Sequence, residues 1–169
     1  MVKKNENQFA LDIVGIRKVK EASLYSAEPI SNPIKAVELL GEQLCEYDRE
    51  VIAVVNLSSH YDPINVSIVS IGTLNHACLC PGDLLKSSIL SNAAYIMMVH
   101  NHPSGNLMPS EKDTTITHRL YKACEIVGIP LLDHIIVGGD NKSYFSFHER
   151  HCLEYPKDSY INDYRELTW

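Results

Sequence analysis

Two histidines, His100 and His102, stand two positions apart at the end of an apolar run, and Asp113 follows eleven residues after the second. Side chains at i and i+2 of an extended segment point to the same side, so both imidazoles can reach one point. Imidazole nitrogens and carboxylate oxygens are zinc ligands, and three protein ligands leave a fourth position for water, as in catalytic zinc sites. The pattern His-x-His, seven residues, Ser, two residues, Asp therefore predicts a hydrolytic metal site.

The same spacing is the motif of the JAMM (MPN+) metalloproteases, and the chain resembles the RadC branch of that superfamily. The likeness rests on His100–Gly105, Pro109-Ser110 and Leu132–Ile136, and it extends from about Asp12 to His148. It implies an α/β fold, a single JAMM-like domain in which helices flank a mixed central sheet. It also implies a zinc-dependent hydrolase that cleaves a peptide or isopeptide amide bond with a water molecule activated by the metal.

The resemblance assigns a role to each residue of the motif. It implies that His100, His102 and Asp113 hold one zinc ion per chain, and that Ser110 donates toward the developing oxyanion. Ser110 and Asp113 also fit a capping box, in which the serine caps a helix and an acidic side chain three residues later accepts from the cap's backbone. The two interpretations are compatible, because one hydroxyl suits either role.

Hydrolysis by an activated water also needs a proton acceptor that later protonates the leaving amine. JAMM proteins resemble one another in placing a glutamate upstream of the His-x-His, near the start of a core strand. The matching residue is Glu50, immediately before the apolar segment Val51–Val55. Glu46 and Glu42 on the preceding helix compete for this role, and Glu111 is near the site in sequence. The alternative to a catalytic role is that Glu50 is a solvated residue that caps a strand end.

Two further features leave alternatives open. His134 either supports the metal ligands from behind or is a hydrogen-bonded core histidine. Cys78 and Cys80 could share a face near a metal, but they lack matching ligands, and packing as small hydrophobic residues is favoured. The segment 81–83, Pro-Gly-Asp, departs from the Pro-Arg-Glu that is common in RadC proteins, and it lies outside the metal motif.

Apolar periodicity predicts the elements that must position these residues. We expect strands within 10–19, at 51–57, 64–68 and 94–99, and a terminal hairpin from 131 to 147. His100 and His102 then lie at the carboxyl end of a strand, where ligands collect in open α/β sheets. Helices are predicted from Pro33 to Cys45, from Pro81 and from Ser110 to Val127. The inward-facing residues of the last two helices are predicted to be Leu85, Ile89 and Ala93, and Ile116, Leu120, Ala123 and Val127.

The domain organisation follows from these elements. Residues 1–32 are predicted to form an N-terminal extension with a first strand, residues 33–148 the JAMM-like domain, and residues 149–169 a C-terminal tail. The tail carries four aromatic residues among charges: Tyr155, Tyr160, Tyr164 and Trp169. Such a tail docks either on the body or on another subunit, so a homo-oligomer remains an alternative.

Composition narrows the function classes. The chain has 169 residues with 45% hydrophobic content, which suits one domain with a sizeable core. A formal net charge of −6 and a pI near 5.7 disfavour a duplex-binding surface, so strong generic nucleic-acid binding is not expected. The same balance weakens a zinc nuclease as an alternative function. A RadC-like binding module, non-catalytic or associated with DNA repair, is the alternative to a peptidase that acts on a peptide or protein substrate.

Cysteine usage and hydropathy bear on the compartment. The five cysteines are scattered without a Cys-x-x-Cys pair, which favours reduced thiols in the cytoplasm over a disulfide framework. No apolar run approaches the ~18 residues that a membrane span needs, so no membrane association is expected.

Overall fold

The computed structural model describes Gly15 and residues 17–72, 79–140 and 142–153. Three helices and five strands lie in this part of the chain. The helices are α1 (Pro33–Cys45), α2 (Pro81–Leu90) and α3 (Glu111–Val127). The strands are β1 (Val51–Leu57), β2 (Pro63–Ile71), β3 (Tyr95–Asn101), β4 (Leu131–Val137) and β5 (Tyr144–Ser146).

The five strands form one mixed sheet in the order β2-β1-β3-β4-β5. Strand β1 runs antiparallel to both β2 and β3, β3 runs parallel to β4, and β5 returns antiparallel to β4. The parallel pair needs a crossover, which α3 supplies. The predicted α/β fold with a mixed central sheet flanked by helices is confirmed.

Helices cover both faces of the sheet, and alternate residues of β1 pack into the two resulting cores. Ala36, Leu40 and Leu44 of α1 share one core with Val51 and other strand residues. Leu84 of α2 and Leu120 of α3 share the other core with Ile52 and its neighbours. All seven residues of β1 are buried, as expected for a short, β-branched, almost wholly apolar strand.

The prediction that Ile89 and Val127 face inward is wrong. Ile89 is 53% exposed, because the buried stripe of α2 runs along Leu84, Leu85 and Ser88 and leaves Ile89 at its edge. Val127 is 44% exposed, because it is the last residue of α3 and lies beyond Cys124, the last buried residue of that helix.

The chain termini are only partly described. The strand predicted within 10–19 is not seen at Gly15 or at residues 17–19, and the rest of that segment lies outside the described residues, as do residues 154–169 of the predicted tail. Ile30 and Leu153, near the two ends of the described chain, are both buried in the cores. Within the described residues, none of the helices combines the length and apolar composition that crossing a membrane requires.

A buried carboxylate holds the chain after β5 against the sheet. Asp133 on β4 accepts hydrogen bonds from Ser146 Oγ at 2.6 Å and from the His148 backbone N–H at 2.9 Å. Ser146 Oγ in turn accepts from the Glu149 backbone N–H. Burial raises the pKa of Asp133, which these donors oppose. The network fixes the turn that carries Phe147 into the core.

We expect Asp133→Ala to lower the free energy of unfolding by about 2–4 kcal/mol, because the buried Ser146 hydroxyl and the partly buried His148 N–H lose their acceptor. Denaturant titration of the purified variant measures this loss. Glu149→Ala, a substitution at an exposed position of the same turn, is the control and should change the stability by less than about 0.5 kcal/mol. Equal small effects from both substitutions would contradict the assigned role of Asp133.

Candidate metal centre

The two histidines of the motif converge at the carboxyl end of β3. His100 is the penultimate residue of the strand and His102 follows its last residue, so both rings lie on one side of the extended backbone. Their Nε2 atoms are 2.9 Å apart. Both residues are buried, His100 more deeply than His102.

Asp113 reaches the histidines from the first turn of α3. Its Oδ1 lies 3.4 Å from His100 Nε2, and its Oδ2 lies 3.6 Å from His102 Nε2. The ligand atoms of these three residues all lie within 4.8 Å of one another. In the described part of the chain, this is the one group of three or more such side chains close enough to hold a metal ion.

Ser110 and Asp113 form the predicted capping box. Ser110 Oγ accepts from the Asp113 backbone N–H, and Asp113 Oδ2 accepts from both the backbone N–H and the hydroxyl of Ser110 at 2.7 Å. The box fixes the carboxylate because it is built into the helix start. Ser110 is exposed, and its hydroxyl proton is directed at the carboxylate.

The three side chains present acceptors to a common point, which fits a cation. His102 Nδ1 contacts the Asn106 carbonyl oxygen at 2.5 Å, and since a carbonyl only accepts, that nitrogen carries a proton. In the neutral ring, His102 Nε2 is then a bare lone pair beside a carboxylate. Two acceptors this close repel each other unless a proton or a metal ion lies between them. Imidazole nitrogens and carboxylate oxygens are ligands of divalent transition metals, zinc among them.

The pKa shifts at the site agree with this arrangement. Burial lowers the pKa of His100 to about 4. The Asp113 carboxylate, whose Oδ2 lies 3.6 Å from His102 Nε2, raises the pKa of His102, and the Asn106 carbonyl and the Glu50 carboxylate act in the same direction. Burial alone would raise the pKa of Asp113, but the two histidines and Ser110 hold it well below its usual range. The site thus favours an anionic carboxylate with a positive charge beside it.

Glu50 lies next to this cluster without belonging to it. Ile52 pairs with His100 in the antiparallel register of β1 and β3, so Glu50, two residues earlier, falls opposite His102. Its carboxylate is close enough to raise the pKa of His102. Asn101 fixes this segment, since its side chain accepts from the Val51 N–H at 2.7 Å and donates to the Arg49 carbonyl at 3.1 Å.

The other glutamates considered for this role lie at three different places. Glu42 is exposed on α1, and Glu111 is exposed at the first position of α3. Glu46, also exposed, lines a cavity of about 230 Å³ that borders His102. The cavity wall is formed by the end of α1 and the loops after β3 and β4: Cys45, Glu46, Tyr47, Asp48, Asn101, His102, Pro103, Gly138 and Gly139.

The sequence left the role of His134 open, and the structure places it against the cluster. His134 is completely buried on β4, and its Nε2 lies 2.7 Å from His100 Nδ1. Its ring stacks on Phe147 with centroids 4.6 Å apart. Of the two cysteines considered near a metal, Cys78 lies outside the described residues, and Cys80 donates to Asp83 at the start of α2.

Comparison with known proteins identifies the family of the chain. The model of the RadC-like JAB domain family matches residues 30–152, which include all of the helices and strands described above. The chain belongs to the RadC-like JAB domain family. The matched region of this RadC-like chain also contains His100, His102 and Asp113, so the resemblance noted in the sequence is confirmed.

Curated relatives of the RadC-like chain are UPF0758 proteins. It is 38% identical over 122 residues to one from Clostridium acetobutylicum, covering 72% of this chain and 53% of the relative. It is 42% identical over 123 residues to one from Actinobacillus pleuropneumoniae, covering 72% and 54%. A relative from Desulforudis audaxviator is 43% identical over 113 residues, covering 67% and 49%. The RadC-like chain thus spans about half the length of the curated relatives it matches.

Proposed function

We propose that this chain is a zinc-dependent hydrolase of the JAMM type that cleaves a peptide or isopeptide amide bond. The observation that carries the proposal is the convergence of three buried acceptor groups on one point, beside a cavity and a further carboxylate. Such a set of three N and O ligands is typical of catalytic zinc sites, which keep one position open.

His100, His102 and Asp113 would hold the ion, one per chain. When bound, zinc supplies Lewis acidity: it polarises a carbonyl and lowers the pKa of a water molecule. Helix α3 orients Asp113 through the capping box, and β3 orients the two imidazoles. All three residues are buried, which limits their contact with bulk water.

Glu50 is proposed as the general base. Its place opposite His102, at the start of a buried strand, lets it accept a proton from the attacking water and return it to the leaving amine. Glu50 is half-buried, and the contacts of the Asn101 side chain with Arg49 and Val51 hold the Glu50 backbone next to the site. It does not need to bind the metal for this role.

Ser110 is proposed to stabilise the oxyanion that develops on the substrate carbonyl. Its hydroxyl donates to Asp113 in the structure, so it would have to rotate toward the substrate during the reaction. Exposure of Ser110 leaves room for that rotation. The cavity beside His102 offers space for substrate groups next to the scissile bond.

The test combines metal content with an unbiased cleavage profile. Elemental analysis of the purified chain should give about one zinc equivalent. A broad library of peptides and isopeptide-linked peptides, analysed by mass spectrometry, should show cleavage that a chelator abolishes and added zinc restores. A fully zinc-loaded protein that cuts no member of the library would contradict the peptidase and favour the RadC-like binding module.

A further inference from the structure

His134 and Thr117 form a continuous hydrogen-bonded chain behind the three proposed ligands. Thr117 Oγ1 lies 2.5 Å from the backbone oxygen of Asp113 and 2.5 Å from His134 Nδ1. His134 Nε2 lies 2.7 Å from His100 Nδ1. Thr117 and His134 are completely buried, so water does not complete any of these contacts. We call these three side chains, Thr117, His134 and His100, the imidazole chain.

The direction of every hydrogen bond in the imidazole chain follows from its first acceptor. The Asp113 carbonyl can only accept, so the single hydroxyl proton of Thr117 must be donated to it. Toward His134, the Thr117 oxygen can then only accept, which places a proton on His134 Nδ1. Complete burial disfavours a charged ring, so His134 Nε2 is left without a proton. It therefore accepts from His100 Nδ1.

We propose that Thr117 and His134 are positioning residues that fix His100 as its Nδ1–H tautomer, with the Nε2 lone pair facing Asp113 and His102. The proposal rests on the metal centre proposed above. The opposite tautomer would place a proton on Nε2, between His100 and the ion it is to bind. A histidine ligand whose other nitrogen donates to a fixed partner is oriented and made more basic in this way.

The imidazole chain also connects the elements that carry the ligands. It starts at the backbone of Asp113 on α3, passes through His134 on β4 and ends at His100 on β3. His102 is fixed separately, by the Asn106 carbonyl. Because Thr117 lies one helical turn after Asp113, the helix that presents the carboxylate also sets the tautomer of His100. Stacking of His134 on Phe147 keeps its ring in the required plane.

The matched variants are Thr117→Val and Thr117→Ser. Valine keeps the branched shape but removes the oxygen, so His134 Nδ1–H loses its acceptor and His134 can change to the Nε2–H tautomer. That tautomer donates to His100 Nδ1 and forces a proton onto His100 Nε2. We expect zinc affinity, measured by competition with a chromophoric chelator, to fall by about 10- to 100-fold in Thr117→Val. Thr117→Ser retains the hydroxyl and should bind zinc with an affinity close to that of the wild type.

The direct test is histidine ¹⁵N NMR, which distinguishes the two tautomers. In the metal-free wild type we expect Nδ1–H signals for both His100 and His134, and in Thr117→Val a shift of His134 toward Nε2–H. An Nε2–H tautomer at His100 in the wild type would overturn the proposal, as would wild-type zinc affinity in Thr117→Val. If the wild type binds no zinc, the proposed metal centre is refuted. NMR of the same metal-free protein would still show whether His100 and His134 are the expected Nδ1–H tautomers.

Discussion

Glu50→Gln should reduce turnover by about 10²- to 10⁴-fold, the usual contribution of a positioned general base, while zinc content and melting temperature change little. Glutamine keeps the shape and polarity of the side chain but cannot accept the proton. Glu50 lies outside the group of three candidate ligands, so its neutralisation leaves the ligands in place. The measurement is kcat on a cleaved library peptide, with zinc determined on the same preparation.

Glu111→Gln is the matched control for this substitution. Glu111 is exposed at the first position of α3, two residues before Asp113, so it carries the same charge close to the site in sequence. Its loss should cost far less activity than the loss of Glu50. Full activity in Glu50→Gln combined with inactivity of Glu46→Gln or Glu111→Gln would show that another glutamate is the base, and the hydrolase itself would stand.

The fold was predictable where local patterns dominate. Asn32 caps α1 and Pro33 begins it, as the sequence indicates, and the buried strand 51–57 has the predicted bounds. The candidate ligands were also predictable from local sequence. His100 and His102 share one strand end, and Asp113 is fixed by the capping box that begins the next helix. Their convergence needs only that this helix start folds back onto the end of β3.

The supporting contacts were not predictable because they depend on pairing between distant strands. His134 meets His100 only through the parallel register of β3 and β4, in which Met98 lies opposite His134. Periodicity identifies β4 as a buried strand but does not give this register. In the same way, the sequence shows Asn101 only as the middle residue of His-x-His. Its hydrogen bonds to Arg49 and Val51 require the antiparallel pairing with β1.

His102→Ala should lose most of the bound zinc, with affinity reduced on the order of 10²-fold or more. Replacing a residue that only supports a ligand costs about 10- to 100-fold, and a direct ligand should cost at least the upper end of that range. Only His100 and Asp113 would remain of the three groups. Zinc should also raise the melting temperature of the wild type, because a ligand of the folded state stabilises it by mass action, and this rise should be absent in the variant.

His118→Ala is the control, because His118 is an exposed histidine on α3 and its loss should leave zinc content unchanged. The comparison is sharpened by the double variant His100→Ala/His102→Ala, which retains a single carboxylate of the proposed set. A lone carboxylate cannot hold zinc against a competing chelator, since structural and catalytic sites use three or four protein ligands. If the double variant keeps a full equivalent of zinc, the ion binds elsewhere and the assignment of all three ligands is wrong.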